Sequence, residues 1–138
     1  MKKLYLFLTV LVLTVVTSCE KINLPDNTTV TTTYTFTDNK DLSSAQQYIT
    51  NWTDQIREYD ASGNCIATNT IHPLSQRSQK FTANSNAVKV KIYVDLTFKP
   101  GSGFTQKKKW IQQVYYLEKG GNTNIIIDNN TLIGLNEP

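Results

Sequence analysis

Few residues in this chain have chemistry that reaches beyond packing. Trp52, Tyr93, Trp110, Tyr115 and Tyr116 fall within strand-like stretches. A row of such rings on one open face would stack on sugar rings, whereas the same rings turned inward would be core. Tyr93 stands apart because Lys91 and Asp95 flank it on the polar side of its stretch, where a core role is harder to assign. Tyr93, Trp52, Trp110 and Lys91 are therefore the candidate ligand contacts. Lys107-Lys108-Lys109 is the one run of charge. Three consecutive side chains cannot all face a core. The run reads as a solvated strand start that blunts edge-to-edge pairing, or, more sharply, as a contact for anionic headgroups or acidic glycans.

Catalysis finds little to work with. His72 is the single histidine and precedes Pro73, with no Gly-x-Ser-x-Gly elbow anywhere near it. A carboxylate pair for glycoside hydrolysis would be drawn from Asp54, Glu58, Asp60, Asp95 and Glu118. Asp95 lies on the polar side of its strand, and the others read as solvated. One histidine and one unmodified cysteine do not make a zinc site. Asp60-Ala61-Ser62-Gly63-Asn64 has oxygen ligands and a glycine but lacks the acidic series and closing glutamate of a calcium loop. Gly101-Ser102-Gly103 has no Lys-Ser/Thr after it and so is no phosphate loop. The expectation is no catalytic residue, no metal and no cofactor.

The start of the chain carries an address. Met1-Lys2-Lys3 is a short basic region, and Leu4 to Val16 is an apolar run broken only by Thr9 and Thr14. Small residues follow at Thr17 and Ser18, then Cys19. This is the layout of a secretory signal, and its apolar run is short of the ~20 residues of a membrane span. Val16-Thr17-Ser18-Cys19 resembles a bacterial lipobox. The resemblance implies that residues 1–18 are a lipoprotein signal peptide and that Cys19 carries the lipid. Glu20 rather than aspartate after that cysteine favours the outer membrane, with the leaflet left open. Without Lys2 and Lys3 the charge falls from +3 to twelve basic against eleven acidic residues, about +1. That removes net basicity as an argument for nucleic acid. Cys65 is then the only free thiol and reads as a small buried apolar residue.

Residues 19–28, with Pro25 and Asp26, read as a tether; ten extended residues reach about 30 Å. Residues 29–138 read as one domain. Its clearest element is Val88 to Phe98, where apolar residues alternate with Lys89, Lys91, Tyr93, Asp95 and Thr97. Period two over this length predicts a strand with one buried face. Thr29–Thr37, Cys65–Ile71, Ser78–Ala83, Thr105–Lys119 and Ile125–Ile127 read as further strands, and Leu132–Leu135 as a last edge. Residues 45–59 fit either a helix or a strand. A capping box at Ser44 and Gln47 favours a helical turn at the start, and Trp52, Thr53 and Ile56 favour strand for the second half. Thr105–Lys119, apolar on both sides, reads as a covered central strand or as one with a face-swapping bulge. The Val88–Phe98 strand is expected between Ser78–Ala83 and Thr105–Lys119.

About seven strands with turn signals every ten residues predict an all-β, antiparallel sandwich of immunoglobulin-like or transthyretin-like shape. With Val16-Thr17-Ser18-Cys19-Glu20-Lys21 at its head, the chain resembles the small β-sandwich lipoproteins of Bacteroidetes-type bacteria. That resemblance implies a non-enzymatic, membrane-anchored module of the cell envelope. It would bind a protein partner or serve a surface complex, with a carbohydrate-binding module as the alternative and a hydrolase as the third reading.

Overall fold

The computed structural model describes residues 29–138. The signal segment 1–18, the tether 19–28 and Cys19 lie outside the described residues. Nine strands run in order: β1 (Thr33–Asp38), β2 (Ile49–Tyr59), β3 (Cys65–Ile71), β4 (Ser78–Thr82), β5 (Lys89–Phe98), β6 (Lys107–Ile111), β7 (Tyr115–Tyr116), β8 (Asn122–Ile127) and β9 (Ile133–Gly134). They form two packed sheets of unequal width. The narrow one has the order β4-β1-β8, and the wide one β3-β2-β5-β6-β9 with β7 also on β5. The fold is an all-β sandwich, as the alternation predicts.

The core follows from strand parity. Val90, Ile92, Val94 and Leu96 of β5 are buried, and so are Tyr34 and Phe36 of β1, Ile125 and Ile127 of β8, and Trp52 and Ile56 of β2. All point between the sheets because side chains two apart share a face. Residues 45–59 resolve as a 3-10 turn at Gln46–Tyr48 followed by strand. The capping box does not form: Ala45 takes the cap position, with no side-chain hydrogen bond.

Four expectations need correcting. The strand β5 lies between β2 and the β6–β7 pair. Ser78–Ala83 is not its neighbour, because His72 to Arg77 carries the chain across to the other sheet, where β4 pairs β1. Thr105–Lys119 is two strands. Tyr93 pairs Trp110 and Val90 pairs Tyr115, so three steps along β5 face five along its partner. The two extra residues are a bulge that keeps the faces in step; both sides of this stretch are apolar because Ile111 enters the core while Trp110 is covered on the outer face by Arg57 and Tyr93. Cys65 is exposed rather than buried, because it opens an edge strand directly after a register shift at Glu58/Tyr59. One pair, β1 with β8, is parallel in an otherwise antiparallel fold. The long intervening chain permits this, since no hairpin can join parallel neighbours.

Turns have local causes. Gly63 (φ +87°) closes the β2–β3 hairpin, and Asp60 holds it by accepting the Asn64 amide at 2.8 Å and its Nδ2 at 3.1 Å. That carboxyl is thereby committed to the turn. In the β5–β6 loop Phe104 returns to stack on Phe98, with ring centroids 5.1 Å apart.

Candidate functional site

The outer face of the wide sheet gathers three of the four candidate contacts. Tyr93 and Trp110 are cross-strand partners with ring centroids 5.1 Å apart. The Arg57 guanidinium lies 4.8 Å from the Trp110 ring and 5.4 Å from that of Tyr93. Gln55 Oε1 holds that guanidinium at 2.8 Å. Lys91 packs its ammonium 4.6 Å from the Tyr59 ring and 2.9 Å from Glu137. The C-terminal residues thus fold over this face. Burial, then the hydrogen bond to Glu137, raises the Tyr59 hydroxyl's pKa above its ordinary value, and the same bond lowers that of Glu137. Tyr93 on a polar strand side is explained by this layer: cation–π and ring contacts replace water over it.

Trp52 is elsewhere, on the inner face of β2. The two indoles are 2% and 8% exposed, Trp52 and Trp110 respectively. Sugar stacking thereby loses the open rings on which that reading rested. His72 is exposed, and its carbonyl caps the following turn by accepting the Ser75 and Gln76 amides.

Buried carboxyl groups are what sequence reasoning missed. Asp54 and Glu58 read as solvated, yet both are sealed from solvent, as is Asp38. The signal was parity: they share a strand face with Trp52 and Ile56. Glu58 accepts Tyr34 Oη at 2.9 Å, Asn69 Nδ2 at 2.9 Å and the Asn84 amide at 2.8 Å. Asp38 is held by Lys40, through its amide at 2.8 Å and its ammonium at 3.3 Å. Neither oxygen of Asp54 has a hydrogen-bond partner, and nor has Trp52 Nε1. Burial first, then the neighbouring Asp38, pushes Asp54 up to about 9, so its carboxyl is protonated at neutral pH.

Beside this group the sandwich is open. Ile111 at the end of β6 is buried in the core, but the narrow sheet ends at β8, and Lys107 and Lys109 face the segment after β8 across a gap. The result is a cleft of about 270 Å³. Trp52, Val94 and Leu96 form its floor. Lys107 and Lys109 stand on one wall, and Asp128, Asn129 and Thr131 with Lys40 on the other. The lysine run therefore divides by alternation. Lys108 points outward to within 3.6 Å of Asp95, while Lys107 and Lys109 register opposite Leu96 and Val94 on the inner side. Among the described residues no three His, Cys, Asp or Glu side chains cluster to hold a metal ion.

No family model, curated protein or solved structure matches this chain.

Proposed function

We propose that this chain is a lipid-anchored binding module of the cell envelope, held through Cys19, which works by contact with a protein partner and not by catalysis. The observation that supports this reading is the C-terminal edge of the wide sheet. The outermost strand β9 pairs β6 over two residues only. Leu132 and Leu135 flank it at 77% and 74% exposure. An outer strand whose backbone is free on one side accepts an extended segment of a partner. Exposed leucines beside it would be covered in the process. The opposite edge, β3, exposes Thr68 and Thr70 instead and offers no such apolar margin. The occupant is therefore an extended protein strand with apolar side chains at alternate positions.

A photo-crosslinking side chain placed at Leu132 of the full-length protein should form a discrete adduct in intact envelopes. The same group at Thr68 should form none. Equal adducts at both positions, or none at either, would overturn the edge reading. The anchor is checked separately: Cys19→Ala should shift the protein from the membrane fraction to the soluble one, and a variant that still sediments counts against lipidation.

A further inference from the structure

Two charges without an ion-pair partner lie side by side in the cleft. Lys107 and Lys109 have no carboxylate within ion-pair distance among the described residues, although Lys108 between them does. Other polar groups of the cleft wall are spoken for. Lys40 is bound to Asp38. Asn129 accepts the Asp41 amide at 3.0 Å and donates to the Asp41 carbonyl at 3.2 Å. Asp128 Oδ1 accepts the Asn130 amide at 2.9 Å and the Thr131 hydroxyl at 3.0 Å. With Lys40 offset by Asp38, the two lysines against Asp128 leave a surplus of one positive charge. Beneath them the floor of Trp52, Val94 and Leu96 is apolar. At ~30 Å³ for a water-sized group, a volume of about 270 Å³ takes roughly nine or ten non-hydrogen atoms.

We propose that this cleft binds a small organic carboxylate: a monoanion whose apolar body lies on Trp52, Val94 and Leu96 and whose carboxylate sits between Lys107 and Lys109. Each half of the ligand answers a feature of the wall. An inorganic anion would leave the apolar floor wet, and an uncharged chain would leave the surplus positive charge unmatched. Lysine stems also cover apolar surface while their heads stay in water, so an empty cleft needs no other explanation for its lysines, and the experiment must separate the two. The cleft shares Ile133 with β9, but the proposal needs no partner at that edge and survives or fails without one.

Octanoate, with ten non-hydrogen atoms, is the probe. It would be titrated into full-length protein in neutral phosphatidylcholine nanodiscs, with empty nanodiscs subtracted, and indole emission read. Trp52 in the floor is the built-in reporter. A saturable change is expected with octanoate and none with octanol or acetate at equal concentration. The double variant Lys107→Gln/Lys109→Gln should weaken octanoate binding tenfold or more with an unchanged thermal melt. Lys108→Gln, on the other face of β6, should leave it within twofold. No saturable response to octanoate overturns the proposal. So does an equal response to octanol or acetate, or an equal loss from Lys108→Gln.

Discussion

Glu58 and Asp54 occupy the same face of β2, four residues apart and equally hidden from water, yet the fold settles them in opposite ways. Glu58 keeps three hydrogen-bond donors. Asp54 has none and is kept neutral by a proton. The difference comes from the facing sheet. Tyr34 and Asp38 repeat the same spacing of four on β1, and the strands oppose each other so that Glu58 meets a hydroxyl while Asp54 meets a second carboxyl. A buried acid is thus tolerated through partners or through protonation, and the opposing strand decides which.

The comparison breaks most severely at Glu58. Glu58→Leu removes the shared acceptor of the Asn84 amide, Asn69 Nδ2 and the buried Tyr34 hydroxyl, and leaves only the 2.6 Å bond from Asn69 Nδ2 to Tyr34 Oη. It should cost about 3–5 kcal/mol in urea unfolding; a loss below 1 kcal/mol would mean that the network does not hold the sheets together. Asp54→Asn should act in the other direction. The folded-state pKa of Asp54 is raised above its value of 3.8 in the unfolded chain, so the native state holds the extra proton between those values. Stability should therefore fall as pH rises from about 4 towards about 9. Asparagine removes that slope, so its advantage over aspartate should grow by up to about 1.4 kcal/mol per pH unit between those values and be small at pH 4. Thermal melts at pH 4 and pH 8 decide it, and an unchanged slope in the variant would show that another group is responsible.

Tyr34→Phe sharpens the Glu58 side of the comparison. It removes one donor while Asn69 Nδ2 still reaches Glu58, so the expected cost is about 1–1.5 kcal/mol. The smallest effect belongs to Lys108→Gln. Its pair with Asp95 is half-exposed at 3.6 Å, and denaturation should register less than about 0.5 kcal/mol. A larger loss would put a surface pair on a level with the buried network, against the distinction drawn here.

Much of the architecture was legible because alternation reports burial directly. Val88–Phe98 and the hairpin at Asp60–Asn64 follow from period two and turn chemistry, and strand is favoured for the second half of residues 45–59, where helical and strand spacings coincide. Sheet membership was not legible. Ser78–Thr82 carries the same local pattern whether it pairs β5 or crosses to β1, and only packing selects between them. The bulge after Ile111 was not legible, because two extra residues leave the alternation in step; the apolar residues on both sides come instead from the covered outer face at Trp110. The carboxyls were misread by residue type, since Asp and Glu are seldom buried; parity with Trp52 and Ile56 pointed the other way. The cleft depends on the width of the sheet opposite β6, a property of the assembled sandwich that no local window contains.

The parallel pairing of β1 with β8 governs the time at which this fold can close. Its first strand is the centre of the narrow sheet, and one of its two neighbours comes from residues 122–127. Thr33 waits for Gly121 and Asn122, some 88 positions downstream, before its amide and hydroxyl are matched. Pairing at such separation slows folding, because the chain must be ordered over its whole length before the contact forms. Until β8 arrives β1 has an open side, and the nascent domain carries Tyr34 and Phe36 without their final cover. Completion is therefore tied to residues 122–127, and a chain stopped before Asn122 would lack the strand that closes the narrow sheet.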